Sequence, residues 1–169
     1  MMISVVGGDR APQEALALAE EVGRRIAIRG CTLVCGGRGG VMEAACRGAQ
    51  AEGGHTIGIL PTADSRSANP YVEFPIATGM GYARNAVVVL SGDAVIAIDG
   101  SYGTLSEIAY ALNFGKPIVL LSSWTFTREG HEPPPVILAE TAQEAVEKAI
   151  SAAEALGETR LPEIPANGS

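Results

Sequence analysis

The chain has 169 residues, 47% of them apolar, three cysteines and a formal net charge of −7. That length suits one domain with a sizeable core, while the acidic balance argues against a general nucleic-acid partner, which needs a basic face. No apolar run approaches the roughly 18 residues of a membrane span. The odd set Cys31, Cys35 and Cys46, with no secretory segment, points to reduced, mostly buried thiols in a cytoplasm.

Taken in chain order, Ile3 to Val6 reads as a short buried strand ending at Gly7-Gly8-Asp9. Pro12 to Arg29 reads as a helix, because Ala15, Leu18, Ala19, Val22 and Ile26 recur at three-to-four spacing and Gly30 stops the run. Cys31 to Cys35 is a second strand, Val41 to Glu52 a second helix ended by Gly53-Gly54, and Thr56 to Leu60 a third strand closed by Pro61. Residues 61 to 71 read as a loop, Val72 to Ile76 as a short extended segment, and 80 to 91 as a helix. Ala94 to Ile98 is a strand, Leu105 to Phe114 a helix, and Ile118 to Leu121 a strand. A loop over 122 to 135 precedes the edge strand Val136 to Leu138 and the helix Thr141 to Leu156, which starts on a capping box, Thr141 with Glu144. Residues 1–156 are thus expected to form a single domain, with a flexible tail over 157–169.

Short apolar strands alternating with helices predict a Rossmann-like, doubly wound α/β fold: a mainly parallel sheet in three α/β/α layers. In such sheets ligands sit at the carboxyl ends of the strands. Two glycine-rich turns fall there: Gly36-Gly37-Arg38-Gly39-Gly40 after the second strand, and Asp99-Gly100-Ser101-Tyr102-Gly103-Thr104 after the fourth clear one. Glycine lets backbone approach a ligand closely, and the helix start behind each turn offers unpaired N–H groups and a positive dipole end. Two such turns on one sheet edge predict a pocket that grips a phosphorylated ligand at two places.

The chemistry-bearing candidates lie nearby. Glu107, one turn into a helix, suits a ribose hydroxyl, an oxocarbenium-like centre or a water; Thr104-Leu105-Ser106-Glu107 equally spells a capping box. Arg84 suits a phosphate clamp or the polarisation of a leaving base, against the commoner fate of a surface arginine. Arg38 reads as a phosphate lid or an exposed loop tip. Asp99 suits a ribose hydroxyl or a water, or shapes an Asx-turn. Ser101 and Thr104 can donate hydroxyls to phosphate or cap a helix. The only lysines, Lys116 and Lys148, lack the buried setting of a pyridoxal-phosphate Schiff base. His55 and His131 are far apart and no C-x-x-C spacing occurs, so neither a metal nor another resident cofactor is expected.

On these residues the chain resembles the LONELY GUY (LOG) family of phosphoribohydrolases, many of them formerly labelled possible lysine decarboxylases. The family pattern G-G-G-x-x-G-L-M-G is echoed by Gly36 to Glu43, including Met42, and P-G-G-x-G-T-x-x-E by Asp99 to Glu107. The resemblance implies hydrolysis of the N-glycosidic bond of a nucleoside 5′-monophosphate, with Arg84 and Glu107 catalytic and both glycine turns binding the nucleotide. It departs at Asp99 for proline, Ser101 for glycine, Asn85 for lysine, and in a first turn one residue shorter. That shorter turn is similar to a branch of molybdenum-cofactor carrier proteins, which implies the alternative of a non-catalytic carrier or sensor of a phosphorylated ligand. The expected partner is therefore a phosphorylated small molecule. Apolar residues on the helices of Arg84 and Glu107 further suggest a homodimer or a dimer-based oligomer.

Overall fold

The computed structural model describes residues 1–127 and 129–158. Arg128, within the expected second loop, and residues 159–169 of the expected tail lie outside the described residues. The chain runs β1 (Met2–Gly7), α1 (Gln13–Ile28), β2 (Thr32–Cys35), α2 (Gly40–Ala51), β3 (Thr56–Leu60), β4 (Phe74–Ala77), α3 (Asn85–Ser91), β5 (Ala94–Ile98), α4 (Tyr102–Asn113), β6 (Ile118–Leu121), β7 (Ile137–Ala139) and α5 (Ala142–Glu158). Single 3-10 turns occupy Ser65–Ser67 and Gly81–Arg84.

The strands form one seven-stranded sheet in the order β4-β3-β2-β1-β5-β6-β7. Every pairing is parallel. The chain winds outward from β1 to β4, then returns beside β1 as β5 and winds the other way. The junction of β1 and β5 is thus the topological switch point, where the flanking loops diverge and leave a crevice.

Side-chain alternation along the central strands builds two cores. Ile3 and Val5 of β1, with Ala94, Ile96 and Ile98 of β5, face a layer of α1, α2 and α5. Val6, Val95 and Ala97 face α3 and α4, whose Val88, Val89, Ile108 and Ala111 are buried. One polar residue, Ser4, sits on this second side, where its hydroxyl donates to the Val88 carbonyl (2.7 Å).

The structure differs from the sequence reading at several boundaries. Residues 80 to 91 split into the 3-10 turn and α3, because Gly79 and Gly81 adopt positive φ and break the approach to the helix. The segment expected over Val72 to Ile76 pairs as Phe74–Ala77. The helix expected from Leu105 begins at Tyr102, with Ser101 as its extended N-cap residue. Glu107 is therefore well inside α4 and takes no part in a capping box. On α5 the expected cap forms in a shifted version: Glu144 N–H donates to Thr141 Oγ1 (3.1 Å), while the Glu144 carboxylate accepts from the N–H of Glu140 (2.8 Å), one residue before the N-cap.

Candidate functional site

The loops after β1, β2, β3, β4 and β5 meet over the switch point and line a pocket of about 710 Å³. Gly7, Gly8 and Asp9 enter from β1, Arg38 and Met42 from the first glycine turn and α2, and Pro61 from β3. Gly81, Tyr82, Arg84 and Asn85 come from the 3-10 turn and the start of α3. Ser101, Tyr102, Gly103, Thr104, Ser106 and Glu107 come from the start of α4.

The two glycine turns play different parts. Backbone groups of the first turn are already paired: Gly37 N–H donates to the buried Cys35 Sγ (3.3 Å) and Gly39 N–H to the pocket-lining Asp9 Oδ1 (2.8 Å). Val41 N–H donates to the Gly8 carbonyl, and Asn69 holds the Gly37 and Arg38 carbonyls. Gly36, Gly37, Gly39 and Gly40 stand behind the pocket wall, with only the Arg38 and Met42 side of the turn reaching the pocket. Gly36 makes room for Arg84, since a Cβ there would run into the guanidinium and lie 2.8 Å from Met42 Sδ.

The second turn opens toward the pocket. No side chain caps α4, whose first residues Tyr102, Gly103 and Thr104 line the cavity. A helix start so arranged presents amide donors and the positive dipole end to a ligand. Asp99 and Gly100 sit behind this edge. Asp99 adopts φ 50°, and its carbonyl accepts from the Ser123 hydroxyl (2.6 Å). It thus shapes the turn and is absent from the pocket lining.

Arg84 and Glu107 meet at the base of the pocket, 8% and 6% exposed, with Nη1 to Oε1 3.6 Å apart. Burial pushes the Glu107 carboxyl from its ordinary 4.5 up to about 7, and the Arg84 guanidinium offsets only part of that. Burial also lowers Arg84, with Glu107 opposing. The shifts are opposite in direction but both favour the neutral form, because removal from water disfavours either charge more than a 3.6 Å contact restores it. Arg84 Nη2 donates to the Gly36 carbonyl (3.3 Å) and Nη1 to Asn85 Oδ1. Its Nε is buried with no hydrogen-bond partner among the described residues.

The sequence reading passed over Asp9, Tyr82, Asn85 and Ser106 as site residues. Asp9 could have been found as the first polar residue after β1. Asn85 was visible as the residue standing where the family pattern has lysine, but its link to Ser106, 21 residues on, is set by the fold and leaves no mark in local sequence.

The profile of the SLOG cluster4 family matches residues 1–155. The chain belongs to that family. This SLOG protein is 41% identical over 156 residues to an uncharacterised protein of Archaeoglobus fulgidus, covering 89% of this chain and 95% of that one. It is 37% identical over 120 residues to a cytokinin riboside 5′-monophosphate phosphoribohydrolase of Mycobacterium tuberculosis, covering 66% of this chain and 64% of that one. The match thus spans under two thirds of that relative's length. Among solved structures it is similar to a molybdenum cofactor binding protein from Rippkaea orientalis, with a TM-score of 0.79 and 37% identity over 92% of this chain and 96% of that one. The SLOG chain is therefore LOG-like and close to molybdenum-cofactor proteins, and it shares their Rossmann-like three-layer fold. Among the described residues, no helix is long and apolar enough to cross a membrane.

Proposed function

We propose that this SLOG protein is a phosphoribohydrolase that cleaves a nucleoside 5′-monophosphate into a free base and ribose 5-phosphate. The observation that carries the reading is the buried Arg84–Glu107 pair at the base of a pocket whose rim includes the uncapped start of α4. A 5′-phosphate fits the amides of Tyr102 to Thr104 and the Thr104 hydroxyl, which match the charge and donor pattern of a helix-terminus anion site. Arg38, on the pocket wall, closes over the same end.

The glycosidic bond then lies toward Glu107. As the bond breaks, positive charge develops at the anomeric carbon, and an ionised carboxylate held in a poorly solvated site stabilises it strongly. Arg84 orients the substrate and offers donors to the departing base. Water adds to the anomeric carbon, and its proton balances the one taken up by the base. Binding of the remote phosphate supplies the energy that orients the bond that breaks. The pocket volume of about 710 Å³ lies within the range of ordinary small-molecule sites.

Incubation with AMP followed by chromatography tests this. Adenine and ribose 5-phosphate are expected, and Glu107→Ala is expected to lower the rate by roughly 100-fold or more. A wild-type protein that cleaves no nucleoside monophosphate would overturn the reading.

A second reading has its own support: the similarity to a molybdenum cofactor binding protein covers 92% of this chain, against 66% for the phosphoribohydrolase relative. On that reading the pocket carries a phosphorylated ligand without turning it over. Native mass spectrometry of the protein purified without added ligand separates the two: an intact pterin or nucleotide supports the carrier, ribose 5-phosphate the hydrolase.

A further inference from the structure

Arg84 ends the Gly81–Arg84 turn, and Asn85, 3% exposed, begins α3. The Asn85 side chain bridges two parts of the pocket. Its Oδ1 accepts from Arg84 Nη1, and its Nδ2 donates to Ser106 Oγ (3.0 Å) and toward the Gly103 carbonyl (3.5 Å). The Ser106 hydroxyl in turn donates a hydrogen bond to the same Gly103 carbonyl (2.6 Å). A guanidinium only donates, so the amide oxygen must face Arg84 and the amide nitrogen must face α4. The relay therefore has one direction, from Arg84 through Asn85 and Ser106 to the first turn of α4. The lysine expected here from the LOG pattern has three donors and no acceptor, and cannot make this link.

We propose that Asn85 is a positioning residue that joins the Arg84 guanidinium to the first turn of α4, so that the ligand-receiving turn and Arg84 form one rigid unit. This rests on the reading of that turn as the phosphate site. Held by Asn85 on one side and by the Gly36 carbonyl on the other, Arg84 stays 3.6 Å from Glu107 and does not close on it as a bidentate ion pair. Both groups then remain available to a ligand. Arg84 is the charge that acts on Glu107, the Cys35 thiol at the end of β2 lies near both, and Arg38 and Asp9 act on Arg84 from the pocket lining.

Asn85→Leu keeps the branching of the side chain, with greater bulk, and removes its links to Arg84 and α4; Ser106→Ala removes the last step. Two readouts need no turnover. In arginine-labelled protein, the Arg84 Nη–H signals are expected to be slowly exchanging in the wild type and to broaden or average in Asn85→Leu. By carboxyl carbon NMR, Glu107 is expected to titrate about one pH unit lower in Asn85→Leu, as the released guanidinium closes on it. Ser106→Ala is expected to move both readouts in the same direction by less, and it carries the test if Asn85→Leu does not fold. With AMP as substrate, kcat is expected to fall on the order of 10- to 100-fold in Asn85→Leu while KM stays within about threefold. A folded Asn85→Leu with Arg84 exchange and Glu107 titration as in the wild type overturns the proposal, as does a Ser106→Ala that moves neither when it is the only folded variant. If the wild type shows no turnover, the hydrolase reading fails, and the two NMR readouts still decide the role of Asn85.

Discussion

Glu107 joins the stability of this protein to its chemistry. Its carboxyl ionises near 4.5 in an unfolded chain and at about 7 in the folded one. Below pH 4.5 it is protonated in both states and costs the fold nothing. Between 4.5 and 7 the unfolded chain releases the proton and the folded chain retains it, so stability falls as pH rises. Above 7 the loss is complete. Glu107→Gln lacks this titration, and its stability relative to the wild type is expected to climb by on the order of 3 kcal/mol across that window, read by urea unfolding at stepped pH. Activity runs the other way. The ionised form stabilises the developing cation, so kcat/KM for a nucleoside monophosphate is expected to rise with pH to a plateau, with its midpoint near 7 in the free enzyme. A profile that falls through that range would contradict the role assigned to the carboxylate.

Helices α1 and α2 cross at glycines. A Cβ on Gly23 would run into the Ala45 carbonyl, and one on Gly48 into the Glu20 carbonyl. Two backbones are thus in direct contact, with Glu20 bridging Arg24 and Arg47 alongside (2.7 and 2.8 Å). Gly23→Ala or Gly48→Ala is expected to cost about 1–3 kcal/mol each by forcing the helices apart, measurable by urea denaturation. Gly103 makes the instructive contrast. It lies in the first turn of α4 and lines the pocket, and a Cβ there meets no other group within 4 Å. Gly103→Ala is therefore expected to stabilise the fold by up to about 1 kcal/mol through helix propensity. The same methyl would crowd a phosphate on the α4 amides, so titration calorimetry with ribose 5-phosphate is expected to show weaker binding. Opposite signs for stability and affinity would mark this glycine as kept for the ligand.

The whole molecule carries a net charge of −7, yet the pocket places Arg38 and Arg84 beside the uncapped start of α4. A local cluster of donors of this kind suits a small anion, whereas a polyanion would meet the acidic surface around it. No retention on single-stranded DNA is expected even at low salt. The outer layer of α3 and α4 leaves Leu90 and Tyr102 exposed and Val87, Tyr110 and Phe114 half-buried. A symmetric dimer through this layer is the expected assembly, which light scattering would report as twice the chain mass, and Leu90→Glu is expected to weaken it.

Local pattern determined the order and type of the elements. The runs 3–6, 94–98 and 118–121 each lie within a strand; the last two are apolar throughout and the first is apolar except for Ser4, because residues buried on both faces of a parallel sheet are apolar or, like Ser4, hydrogen-bonded. The α5 capping box was legible for a similar reason: its donors and acceptors lie within five residues. Arg84 and Glu107 could be named from motif spacing, but their separation, their burial and the pKa of about 7 belong to the fold. Only the tertiary structure decided that backbone groups of the first glycine turn are already paired with Cys35, Asp9 and Asn69 while the second opens on the pocket. It alone set Asn85 between Arg84 and Ser106, 21 residues further along the chain. Element type follows from propensity and periodicity over a few neighbours, whereas the availability of a donor depends on which distant residue is folded against it.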